Sequence, residues 1–170
     1  GPQMNKAEFE NLLRTALSNL ASEKPLLPLE RRVGERPLVA RLAFHLERLL
    51  SEADGLRVDV EYNIDPIGDR KWLIAETVLK EAATKVRRKV YEDDSIAVIP
   101  DIVVHERGTH ARNFAVIEVK FADADKNDFE YAKLKLQTFQ RPNFNYSYGV
   151  LVSIPRTWES FLKNCKVEFF

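Results

Sequence analysis

The stretch Ile96–Phe121, IAVIPDIVVHERGTHARNFAVIEVKF, decides how this 170-residue chain is read. It holds two strongly apolar segments, Ile96–Val104 and Phe114–Phe121, joined by the polar, Gly-containing link Glu106–Asn113. Apolar runs of this length on either side of a turn-forming link predict a hairpin. Strand side chains alternate, so Ala115, Ile117, Val119 and Phe121 share one face of the second segment, and Phe114, Val116, Glu118 and Lys120 the other. A strand that is apolar on both faces is covered on both sides, yet two charges stand at its end. Asp101 interrupts the first segment in the same way, with Ile99 and Val103 on its own face. Burying a charge without a partner or a metal is costly, so these three residues call for a chemical reason.

Pairing the strands so that Asp101 and Glu118 stand opposite each other on one face sets the register: partners sum to 219, and His105 falls across from Phe114. The two Cα atoms would then lie roughly 4.5–5.5 Å apart. Carboxylates that close repel, and one pKa rises unless a cation lies between them. Carboxylate oxygens suit hard cations, which makes Mg²⁺ or Mn²⁺ the expected cofactor. Lys120, two residues after Glu118 on the same face, can reach a metal-bound water and offset charge on a phosphate under attack. The backbone carbonyl of Val119 is a further candidate ligand. Together these groups suit phosphodiester hydrolysis.

Working outward, Phe9, Leu12, Leu13, Ala16, Leu17 and Leu20 repeat at helical spacing and predict an amphipathic helix over Lys6–Leu20, in an N-terminal helical extension spanning residues 4–30. Pro25 and Pro28 break it. A second helix is expected from Pro37 to about Glu52, with Leu38, Leu42, Leu46 and Leu49 as its core stripe. LRVDVEY, Leu56–Tyr62, alternates as a half-buried strand should. Residues 70–92 read as a helical insertion, with the helix over Trp72–Val90 ending in the basic run KVRRKV. Beyond the hairpin, Phe129, Ala132, Leu136 and Phe139 mark a helix running toward Pro142, and YGVLVSI, Tyr148–Ile154, a last strand. This order predicts one α/β domain over residues 4–170, a central mixed sheet flanked by helices. Gly1–Gln3 read as a tag remnant before Met4.

Composition narrows the function classes. At 45% apolar and 31% charged residues, the chain has the makeup of a folded protein rather than a disordered one. No run of eighteen apolar residues and no secretory layout appear, so no membrane partner and a cytoplasmic location are expected. The lone Cys165 excludes an internal disulfide and a Cys-based zinc site and reads as a packing residue. Lys plus Arg equals Asp plus Glu, 26 of each, so no global field draws in a polyanion. A homodimer or a recognition partner is therefore expected to supply affinity.

Pro100-Asp101, followed after the hairpin link by Glu118-Val119-Lys120, resembles the signature of the PD-(D/E)XK nuclease superfamily. The order of elements from Glu35 to Ile154 resembles that superfamily's restriction-endonuclease-like αβββαβ core. RLAFHLERLL, VDVEYN, PDIVVHERG, NFAVIEVK and YGVLV are similar to a group of its small stand-alone prokaryotic members. The resemblance implies a metal-dependent nuclease acting on nucleic acid, a DNA endonuclease before an exonuclease. Asp101 and Glu118 would bind the metal and Lys120 would serve the nucleophilic water. An acidic residue of the first core helix would join them: Glu35, with Glu47 as the alternative. Glu61 is a further neighbour, or else one side of a cross-strand salt bridge. The reading from a different class is a non-catalytic nuclease-like module that binds nucleic acid or a partner protein.

Other residues carry weaker signals. Arg41, His45 and Arg48 align on one helical side and would track a phosphate backbone, or would simply be solvated. His45 and His105 read as structural or phosphate-contacting rather than metal-binding, because no second His stands at ligand spacing. Lys133 and Gln137, one turn apart on the helix after the catalytic strand, are candidate nucleic-acid contacts or an exposed polar face. The run Lys85, Arg87, Arg88, Lys89 suits phosphates, but a charge run is usually a solvated face, and Glu92, Asp93 and Asp94 follow it.

Overall fold

A computed structural model of the chain describes residues 4–23, 29, 34–50, 55–60, 72–74, 77–88, 91, 95–97, 99–109 and 111–170. In chain order its elements are α1 (Lys6–Ala21), α2 (Arg36–Leu49), β1 (Arg57–Val60), β2 (Trp72–Ile74), α3 (Thr77–Lys85), β3 (Ser95–Ala97), β4 (Ile102–His105), β5 (Asn113–Phe121), α4 (Lys126–Phe139), β6 (Tyr148–Ile154), α5 (Phe161–Asn164) and β7 (Lys166–Phe169). Five strands form a mixed sheet in the order β1-β4-β5-β6-β7, in which only β5 and β6 run parallel. Helices flank it, which makes the protein α/β, as its alternating pattern predicts.

The hairpin register follows from charge and burial together. Ile102 faces Ile117, Val103 faces Val116 and Val104 faces Ala115, the expected pairs. A bulge between Val104 and His105 then shifts the ladder, so His105 meets Asn113 rather than Phe114. Phe114 consequently packs with Ala115 and Ile117, edge-on to Phe9 at 5.0 Å, and not on the face of Val116. The odd-numbered side of β5 lies under α1 and α2, where Phe9, Leu13, Leu38, Leu42 and Leu46 are buried. Val116 on the opposite side, with Val103 and Leu151, is covered by Leu79, Ala82 and Ala83 of α3 and Ala132, Leu136 and Phe139 of α4.

Two expectations change. Ile96–Val104 is not one strand: Ser95–Ala97 pairs with Trp72–Ile74 in a separate two-stranded sheet, and β4 starts only at Ile102. Pro100, which lacks an N–H, stands between them, and Ile99 is 50% exposed instead of packed. The expected helix Trp72–Val90 is likewise shorter, a strand followed by α3. Trp, Leu and Ile favour a strand once a partner is present, and local composition does not reveal the partner. Arg87 ends α3 in the left-handed conformation (φ 60°), with its N–H on the Thr84 carbonyl and that of Arg88 on Ala83. The segment α5–β7 was not anticipated; β7 covers the outer edge of β6, and Cys165 is buried in the core, as a packing residue should be. Burial pushes its thiol up to about 12. No helix among the described residues is long and apolar enough to cross a membrane.

Candidate functional site

Just before the first paired residue of β4, the Asp101 side chain takes over the hydrogen bonding of the ladder: the N–H of Val119 donates to its Oδ2 at 2.8 Å. This brings the Asp101 carboxyl beside that of Glu118, which is 1% exposed. Burial, and then the neighbouring Glu118 charge, pushes Asp101 up to about 8, against the opposing pull of the Val119 N–H and of Lys135. Lys135 was not singled out from sequence. It is 7% exposed, with its ammonium 2.8 Å from Glu118 Oε1. The two form a buried ion pair. Burial alone would lower the Lys135 pKa, but the Glu118 carboxylate outweighs it and holds the lysine charged, above its usual 10.5. The signal for Lys135 lay in α4: it follows Ala132 by three residues and precedes Phe139 by four, a charge on the apolar stripe.

Asp101, with Glu118 buried beside it, lines a cleft of about 440 Å³ at the end of the sheet where β1 and β5 finish and β4 begins. Asp101, Val119 and Lys120 form one wall, and the first turn of α2, with Glu35 and Arg36, another. Glu35 is the N-cap residue of α2 with no side-chain capping bond, and Pro37 stands just inside the helix. Its carboxylate thus sits at the positive end of the α2 dipole, a favourable place for it. Arg88, held where the left-handed Arg87 ends α3, also lines the cleft, as do the exposed side chains of Val60 and Ile99.

The remaining candidates lie elsewhere. Glu47 binds the Arg57 guanidinium at 2.7 Å and ties α2 to β1. Arg41 and His45 both grip Glu23 at the end of α1: Arg41 Nη2 at 2.7 Å and His45 Nε2 at 2.9 Å from its oxygens. The Arg41 hydrogen bond, and then that of His45, lowers the pKa of Glu23. Arg48 lies over the Phe44 ring. His105, 2% exposed, contacts Asp59 at 2.8 Å, and Arg107 donates to both oxygens of the same carboxylate, which staples β1 to β4 at the end away from the cleft. Lys133 lies over the Phe170 ring and Gln137 is exposed on α4. Glu61, Lys89, Glu92, Asp93 and Asp94 fall outside the described residues.

Two carboxylates and the Val119 carbonyl form a hard-oxygen donor set, suited to Mg²⁺ or Mn²⁺ and unsuited to thiophilic metals. The like-charged contact of Asp101 with Glu118 fits a cation at this place. Among the described residues no three His, Cys, Asp or Glu side chains gather as a metal cage, so Glu35 shares the cleft without joining the pair. No protein-family model, curated protein or solved structure matches the chain.

Proposed function

We propose that this protein is a divalent-metal-dependent nuclease of the PD-(D/E)XK type that hydrolyses phosphodiester bonds, with DNA and internal cleavage as the leading substrate and mode. One observation carries the reading: Asp101, pressed against the buried Glu118 of β5, lines a cleft that also receives Lys120 and Glu35. The run α2-β1-β4-β5-α4-β6, with β5 and β6 parallel, supports the restriction-endonuclease-like αβββαβ core. Asp101, Glu118 and the Val119 carbonyl would hold Mg²⁺ or Mn²⁺, with Glu35 assisting across the cleft. Such an ion supplies Lewis-acid activation of water and neutralises phosphate charge.

The chain's own residues do the rest. The Val119 N–H orients the Asp101 carboxylate, and Lys135 balances Glu118 from behind. Lys120 brings an ammonium into the cleft, where it orients the attacking water and meets the charge that builds on the phosphate. Arg36 and Arg88 add positive charge to the lining and would engage flanking phosphates. Because Lys and Arg together only balance Asp and Glu, this local charge substitutes for a global field, and a second copy or a recognition partner would add affinity.

A second reading, a non-catalytic module that binds nucleic acid or a partner protein, is favoured by the ion pair that already neutralises Glu118 and by the missing third side chain of a metal cage among the described residues. Incubation with supercoiled, linear and single-stranded DNA and with RNA, in Mn²⁺ or Mg²⁺, separates the two. The nuclease cuts at least one substrate only with metal, and Lys120→Ala lowers the rate at least roughly a hundredfold. Equal cutting by Lys120→Ala, or none by wild type while substrate binding persists, supports the module.

A further inference from the structure

A lysine ion-paired inside a protein needs a reason. Replacing a buried salt bridge by apolar groups of similar volume is often neutral or stabilising, so packing α4 onto β5 does not by itself call for Lys135 and Glu118. Lys135 is nevertheless gripped from two sides, by Glu118 Oε1 at 2.8 Å and by the Tyr131 ring, whose centroid lies 5.0 Å from the ammonium. Tyr131 precedes it by one helical turn, so both contacts are fixed by one face of α4. On the other side of the carboxylate pair, Asp101 Oδ2 is held by the Val119 N–H. One oxygen of each carboxyl, Asp101 Oδ1 and Glu118 Oε2, remains outside these two contacts.

We propose that Lys135 is a positioning residue of the site: a resident cation that occupies the Glu118 side of the carboxylate pair, so that the site takes one divalent ion rather than two. The inference rests on the metal-site reading above. Charge and space agree with it. With all three groups ionised, Asp101, Glu118 and Lys135 carry a net charge of minus one; one divalent ion takes this to plus one and a second would take it to plus three, with Lys120 adjacent. Glu118 Oε1 faces the ammonium, so one oxygen of this carboxylate is already engaged by a resident cation. Lys135 thus supplies a fixed positive charge at Glu118, which would disfavour a further divalent ion there.

The test is Mn²⁺ binding to the intact chain by calorimetry and by the spin-resonance signal of free Mn²⁺, for wild type, Lys135→Met and Lys135→Arg. Wild type takes one Mn²⁺ per chain. Lys135→Met, relieved of the competing charge, binds Mn²⁺ at least roughly tenfold tighter or takes a second ion. If that variant unfolds without metal, the expectation is that Mn²⁺ refolds it. Lys135→Arg keeps the charge and the wild-type affinity. Two ions bound by wild type, a Lys135→Met affinity no tighter than wild type, or a Lys135→Met chain still unfolded at saturating Mn²⁺ would each overturn the proposal, as would tighter binding by Lys135→Arg. No Mn²⁺ bound by wild type removes the metal-site reading itself, and the two failures are told apart by the wild-type titration alone.

Discussion

Asp101 is held by a backbone N–H, but burial, and after it the neighbouring Glu118 carboxylate, outweighs that hold and raises its pKa to about 8. A folded-state pKa raised above the ordinary value of 3.8 means that the folded chain binds the extra proton, so the associated stability is complete below that value and is lost as the pH climbs through about 8. In metal-free buffer, the melting temperature of wild type relative to Asp101→Asn should therefore fall between pH 4 and pH 8, and a flat difference would contradict the carboxyl pairing. Asp59 works in the opposite sense. Its Arg107 hydrogen bond, the largest influence, outweighs burial and holds it below 3.8, so its contribution is present above that value and disappears as acid is added. Lys135 sets Glu118 apart from Asp101 and Lys120 in what its substitution costs the fold. Glu118→Gln strands a buried ammonium and should cost about 3–5 kcal/mol in chemical denaturation. Lys120→Ala, at the rim of the cleft, should stay within about 0.5 kcal/mol of wild type.

At the scale of elements, the junction of α4 with β6 admits no side chain at Gly149. A Cβ there would meet Gln140 Nε2 at 2.7 Å, the Leu136 Cβ at 3.1 Å and the Leu136 carbonyl at 3.2 Å. Gly149→Ala should therefore cost about 1–3 kcal/mol by pushing α4 off the sheet. Because α4 carries Lys135, it should also loosen the hold on Glu118, whereas unchanged stability would mean that the helix yields freely. Much of this layer was legible in the sequence. The α4 stripe, the alternation around Val58 and the run Tyr148–Ile154 each follow from local periodicity, and the hairpin register followed from requiring two charges to share a face. The bulge at His105 was not legible, because it depends on how the link Glu106–Asn113 closes and not on side-chain pattern. The strand Trp72–Ile74 was hidden for a related reason, since its partner lies about twenty residues away and three residues carry no period of their own. Lys135 was written in the α4 stripe but went unread, because a lone lysine among apolar residues resembles an exposed one until the partner strand supplies its carboxylate.

For the whole molecule, the account predicts a domain whose folded state is strained at one point and relieved there by an ion. The sheet brings Asp101 and Glu118 together, α2 and β5 open a cleft beside them, and the lone positive charge from α4 leaves Asp101 holding a proton that a bound cation would displace. A ligand that binds only the folded chain at about one hundred times its dissociation constant adds roughly 2.7 kcal/mol, and in a chain of this size each kcal/mol moves the melting temperature by about 2–4 °C. The most direct measurement is the melting temperature of wild type and of Asp101→Asn with and without saturating Mn²⁺ at neutral pH. Mn²⁺ should raise wild type by roughly 5–10 °C, Asp101→Asn should melt above wild type without metal, and the variant should gain little when Mn²⁺ is added. Equal responses of the two proteins to Mn²⁺ would contradict it, because the paired carboxylates would then not be the place where the ion binds.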